Sequence, residues 1–301
     1  MDLSSLKKKS VDISSLVNAA EQMSGSKADN NDSGTPKWKP TRDTAGNGYA
    51  VIRFLPAPDN DIGWTRYWDH GFQGPNGKWY IEKSLTTLDK DDPVGLLNQE
   101  SWNSGDKEAA RNRKRRLHYV SNILVLHDEG NPENNGKVFH YEFGKKIFDK
   151  LKEAMQPEFP DEAPINPWDL WNGADFVIKV RKVDGWVNYD KSEFKSPSEL
   201  FDGDETKLQA VVDQIMPLAE YTDPATFKSF DQLQKQLNLV MGVAAPKVSA
   251  PVAAPVMETA ASVEPTPQAT IVPQTAEEDT AEVDEAEDDT LAYFRKIAEG
   301  A

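Results

Sequence analysis

Six consecutive residues, Arg111-Asn-Arg-Lys-Arg-Arg116, carry five positive charges in a chain of 301 residues whose formal net charge is −16. Local charge decides what such a surface attracts, and this one would attract an anion. An aromatic-rich strand signal begins just beyond it at Tyr119, and further rings follow at Tyr141, Trp186 and Tyr189. A groove for single strands needs cations along the phosphate path and aromatic faces for unpaired bases. A solvated charged loop could carry the same basic run, so the weight rests on the rings. Tyr119 and Tyr141 stand beside polar neighbours and Trp186 and Tyr189 follow the Asp184-Gly185 turn, so all four are expected at the surface.

Other chemistry finds less support. The four histidines, His70, His118, His127 and His140, show no metal-ligand spacing, and Gly46-Asn-Gly48 precedes a strand without the lysine of a phosphate-binding loop. Paired carboxylates are expected by chance among 50 acidic residues. No catalytic residue and no cofactor-binding residue is assigned, and the chain is read as a non-enzyme. With no cysteine there are no disulfides and no thiolate metal sites.

The elements that must position these residues come from periodicity. Strand signals cover 49–55, 78–81, 119–127, 137–143 and 175–183, separated by Gly, Pro, Asn and Asp turns. Ile147, Phe148, Leu151 and Met155 recur at helical spacing. So do Leu208, Val211, Val212 and Ile215, and then Phe230, Leu233, Leu237 and Val240 behind the N-cap candidate Ser229. About five strands in a small body suggest closure into a barrel or a sandwich, which hides sheet edges.

Composition divides the chain. Its 38% hydrophobic and 28% charged residues leave too little apolar material for all of it to pack. Residues 1–36 read as a basic amphipathic arm and linker, 37–242 as the folded body, and 243–301 as a Pro/Ala-rich disordered linker with an acidic tail. Val243 to Ala301 holds 12 acidic and 3 basic residues, so −9 of the −16 lies there. The tail closes on Asp288, Asp289, Leu291, Tyr293, Phe294 and Ile297, a pattern suited to docking on a partner. There is neither an apolar leader nor a stretch of roughly 20 apolar residues for a bilayer. The expectation is a soluble protein of the cell interior.

Several ordered stretches resemble the single-stranded DNA-binding, helix-destabilising protein family of T-even-type bacteriophages. They are Ala45-Gly-Asn-Gly-Tyr-Ala-Val-Ile-Arg-Phe-Leu-Pro56, His70-Gly-Phe72, Asn76-Gly-Lys-Trp-Tyr-Ile-Glu82, Ser121-Asn-Ile-Leu-Val125, Pro132-Glu-Asn-Asn-Gly-Lys-Val-Phe139, Tyr141-Glu-Phe-Gly-Lys-Lys-Ile147 and Asn188-Tyr-Asp190. The resemblance implies an α+β fold with an OB-type barrel core and peripheral helices, a flexible N-terminal arm and a disordered acidic tail. It implies sequence-tolerant, cooperative coating of strands exposed in phage DNA replication, recombination and repair, in the host cytoplasm, with the tail recruiting other replication proteins. Carried over by residue, it places DNA contacts at Lys114, Arg115, Arg116, Tyr119, Tyr141, Trp186, Tyr189 and Trp102, to which the charge of the basic block adds Arg111 and Arg113. Self-association falls on Lys7, Lys8, Lys9 and Ser10. One groove tyrosine of the family stands as Ala109. The family's zinc ligands, one histidine and three cysteines, fall on His70, Ser84, Asp92 and Gly95, so the zinc site is expected to be lost, with packing alone holding that loop. The rival readings are a protein-interaction adaptor and an enzyme acting on DNA.

Overall fold

The computed structural model describes residues 35–243. The arm residues Lys7, Lys8, Lys9 and Ser10 and the tail residues Asp288, Asp289, Leu291, Tyr293, Phe294 and Ile297 lie outside the described residues. The chain divides into two units, Met1–Lys247 and Val248–Ala301, and every described residue belongs to the first.

Among the described residues nine strands join one sheet: β1 (Lys37–Trp38), β2 (Gly48–Leu55), β3 (Trp64–Gln73), β4 (Trp79–Lys83), β5 (Arg116–Asp128), β6 (Val138–Phe143), β7 (Phe176–Val183), β8 (Trp186–Asn188) and β9 (Glu193–Phe194). The helices are α1 (Pro93–Asn103), α2 (Lys107–Asn112), α3 (Lys145–Met155), α4 (Glu205–Val212) and α5 (Phe230–Met241). β5 is the spine. Along one edge Arg116–Ser121 pair with β3 and Asn122–Asp128 with β2, while Tyr119–Leu124 pair with β6 on the other. β7 continues outward from β2 and β1 from β6.

The path β1-β6-β5-β2-β7-β8 ends without a closing pair among the described residues, so the structure is mixed α+β with an open sheet and not the closed barrel expected. Short strands manage the edges instead: β1 and β9 have two residues each and β8 three, which leaves little ladder exposed. Between β7 and β8, Asp184 and Gly185 both take positive φ, as a two-residue hairpin turn that follows the sheet twist requires.

α3 lays Ile147, Phe148, Leu151 and Met155 on a core formed with Trp38, Ile52, Phe54, Trp64, Ile123 and Phe176. The opposite sheet face is covered where Leu55, Leu124 and Val138 meet Leu200, Leu208, Val211 and Val212. Ser229 caps α5 with a full capping box to Gln232, and Gly242 ends that helix in the left-handed conformation. α5 then packs Leu237 and Val240 on Phe72, Tyr80 and Val94. Gly74 permits the approach, since a Cβ there would strike the Val240 carbonyl.

Candidate nucleic-acid interface

The basic block is the junction between α2 and β5. Asp106 caps α2 through the Ala109 N–H, the helix stops at Asn112, and the chain enters β5 at Arg116. Arg113 turns inward, which corrects its expected place in the interface. Its Nε donates to Asn98 Oδ1 at 3.0 Å and its Nη2 to Ser101 Oγ at 2.6 Å, while its carbonyl accepts from Asn98 Nδ2 and His70 Nδ1. It is a joint that fixes α1 to the start of β5. Arg111, Lys114, Arg115 and Arg116 remain exposed around it. Arg115 stacks its guanidinium 4.2 Å above the Trp68 ring, and Arg116 lies over Gly71, where a Cβ would collide with it, and pairs with Asp69.

Asp69 anchors a chain of paired charges beneath the block. His118 Nε2 lies 3.6 Å from Asp69, its Nδ1 lies 2.8 Å from Glu142 Oε1, and the Tyr67 hydroxyl donates to Glu142 Oε2 at 2.5 Å. Burial alone would lower the His118 pKa, but the close carboxylates of Asp69 and Glu142 together prevail and raise it to about 9. Burial would likewise raise Glu142, yet the His118 and Tyr67 contacts bring it down to about 2. The signs give a window. A raised histidine stabilises the fold fully below its ordinary 6.5 and loses that contribution as pH rises through about 9; a depressed glutamate stabilises above 4.5 and loses it toward about 2. The melting temperature is therefore expected to fall between pH 6.5 and pH 9, and Glu142→Gln should flatten that fall. Parallel pH profiles for the two proteins would contradict the pairing.

The four rings do not share one trough. Tyr119 and Tyr141 are each only 2% exposed, which corrects their expected place at the surface. Tyr119 stacks on Phe148 with centroids 3.8 Å apart, and Tyr141 meets the Trp38 ring edge-on at 5.2 Å. Their polar neighbours belong to the other sheet face, as alternation along a strand dictates. Tyr189 is half-buried against the same core. Trp186 is 66% exposed, but register places it beyond Gly48 and Asp128, at the opposite end of β5 from Arg116. The sheet face between them is covered by Leu200, Leu208, Val211 and Val212. Trp102 does stand exposed near the block, next to Ser101 on α1, with Lys107 Nζ 5.0 Å over its ring.

A groove of about 410 Å³ opens beside the block, lined by Gly71, Phe72, Trp79, Ala109, Asn112 and Arg113 among others. Trp79, 59% exposed on its rim, was missed by the sequence reading. Its signal lay in the strand pattern around Lys78-Trp-Tyr-Ile81, where alternation puts Trp79 and Ile81 opposite the buried Tyr80. Ala109, a small residue in its lining, helps leave this space open.

His70, Ser84, Asp92 and Gly95 form a different arrangement from a metal site. Asp92 caps α1, accepting from the Val94 and Gly95 N–H groups and from Leu85 N–H at 3.0 Å. His70 Nε2 lies 3.3 Å from Asp92 Oδ1, outside hydrogen-bond geometry, while Ser84 Oγ is 3.1 Å from Thr86 Oγ1. One imidazole and a carboxylate already occupied by three backbone donors do not fit a four-ligand structural zinc. Hydrogen bonds at Asp92 add to the Phe72–Tyr80–Val94 packing, so packing does not act alone in this loop.

A family model described as "gp32 DNA binding protein like" matches residues 46–241. The single-stranded DNA-binding protein of Enterobacteria phage T2 is 41% identical over 216 residues, covering 69% of this chain and 71% of the relative. That of Enterobacteria phage T4 is 40% identical over 215 residues, with the same coverage of each chain. A single-stranded DNA-binding protein of Escherichia phage SV14 is 50% identical over 52 residues, 17% of this chain and 45% of the relative.

Proposed function

The chain belongs to the gp32-like family of DNA-binding proteins, and from that premise we propose that it binds single-stranded DNA with little regard to base sequence. The observation that carries this reading is the exposed group Arg111, Lys114, Arg115 and Arg116 beside the exposed indoles of Trp79 and Trp102, in a chain of net charge −16. The cations take phosphates and release counterions, and the indoles offer faces that any base can stack on. Duplex has no unstacked faces to offer, so the single strand is preferred, and by mass action its binding lowers duplex melting.

The role follows from that preference: coating strands exposed in phage replication, recombination and repair, without turnover and without a metal. The basic arm, with Lys7, Lys8, Lys9 and Ser10, joins neighbouring copies on the strand. The acidic tail, through Asp288, Asp289, Leu291, Tyr293, Phe294 and Ile297, competes with DNA for the basic surface and engages replication proteins when DNA displaces it.

Tryptophan quenching by a thymidylate oligonucleotide tests the reading. Salt-sensitive quenching is expected with the single strand and little with the matching duplex; equal response to both, or none, would remove it in favour of an adaptor. In the same assay, loss of residues 1–23 should leave short-strand binding intact and abolish clustering on long strands. Truncation after Gly242 should tighten binding at low salt. Clustering without the arm, or unchanged affinity without the tail, would remove those two roles.

A further inference from the structure

The enclosed guanidinium groups of the described residues differ in how they are matched: Arg53 and Arg113 have several acceptors, although Arg53 Nε has none, while half-buried Arg66 has none for its enclosed Nη1. Arg53 is held by the Asp175 carboxylate at 3.4 Å and by the Asp169 and Ser198 carbonyls at 3.1 and 2.8 Å, and Arg113 is held by Asn98 and Ser101. Arg66, on β3, has a buried Nη1 with no hydrogen-bond partner and makes no ion pair among the described residues. Burial pulls its pKa below the ordinary value, opposed first by the nearby Tyr119 hydroxyl and then by Asp89, neither of which pairs with it. Taking even one edge of a cation out of water without a hydrogen-bond partner is costly, and an anion arriving at that edge would offset the cost.

The position of Arg66 names that partner. It sits directly across from Tyr119 on β5, and its neighbour two residues on along the same strand face, Trp68, is the ring under the Arg115 guanidinium. Arg66 thus extends the basic block across to β3, on the side of the sheet that bears Arg115, and away from the Asp69 pairing that holds Arg116. Resting on the single-strand reading above, we infer that Arg66 is a phosphate-contact residue, its unmatched guanidinium edge receiving a backbone phosphodiester of the bound strand next to Trp68 and Arg115. The residue was not singled out by its sequence context, because an arginine between Thr65 and Tyr67 carries no motif.

The test compares the full chain with Arg66→Met and Arg66→Gln in binding a thymidylate oligonucleotide across a salt series, together with the thermal stability of each free protein. Loss of one phosphate contact should make the log–log salt slope shallower by about 0.7 and weaken binding about fivefold at 0.1 M salt. Melting temperature should stay level or rise, because a half-buried charge with an unmatched enclosed edge has been removed. Arg66→Lys should keep the slope and lose part of the affinity. Wild-type slope and affinity in both neutral variants would overturn the inference, as would a lowered melting temperature with binding unchanged, the mark of a purely structural residue. No binding by the wild-type chain would instead remove the single-strand reading on which the inference rests.

Discussion

Tyr119→Ala and Tyr141→Ala are each expected to destabilise the folded body by about 3–5 kcal/mol, the range for removing a buried aromatic ring from a packed core. Both rings are almost fully enclosed. Tyr119 is sandwiched by Phe148 and Phe143, and Tyr141 by Trp38 and Phe143, so truncation leaves a cavity at the centre of the main core. The effect should appear as a melting temperature lower by about 10 °C, while the fraction still folded binds an oligonucleotide as the wild type does. A stacking role makes the opposite forecast: a fold of unchanged stability and a binding loss of about 1–3 kcal/mol per ring. Urea unfolding and oligonucleotide titration on the same preparations separate the two. Unchanged stability with weakened binding would place these rings in the interface after all.

The second large effect belongs to the cations. Arg111, Lys114 and Arg115 are exposed and lie outside the Asp69 pairing and the inward contacts of Arg113. Each phosphate they neutralise contributes roughly 0.7 decade of affinity at 0.1 M salt, so replacing all three with alanine should weaken single-strand binding about 100-fold. Apart from the Arg115 stack on Trp68, stability should change little, because exposed charges contribute little to folding. Arg116 is left out for a physical reason. Its removal would strand the buried Asp69 carboxylate beneath it and mix a folding defect with a binding one.

Much of this architecture could be read in the residues. Gly48–Leu55, Arg116–Asp128, Val138–Phe143 and Phe176–Val183 fall where alternation and turns placed them, and Ser229 caps its helix as its type suggested. β3 went unread because its buried positions include Asp69 and His70, whose contacts are with residues distant in sequence, and no hydrophobic period survives such substitutions. α1 and α2 were missed for a related reason: α1 buries only Pro93 and Val94 and α2 only Ala110, so neither shows an apolar stripe. The site was half legible. Charge density located the block, but which cation turns inward depends on Asn98 and Ser101 across a helix. Which tyrosines face the core depends on the sheet face that carries Trp64 and receives Phe148 from α3, and polar neighbours in sequence say little about that. Trp79 and Arg66 gained their significance only from what surrounds them in space.

The most direct measurement is the salt dependence of single-strand binding by the full chain, wild type against the variant lacking the charges of Arg111, Lys114 and Arg115. A strand lying on this block predicts a linear log–log plot whose slope becomes shallower by about 2 in the variant, roughly 0.7 for each lost contact. Parallel plots with equal affinities would mean that the strand binds elsewhere on the protein.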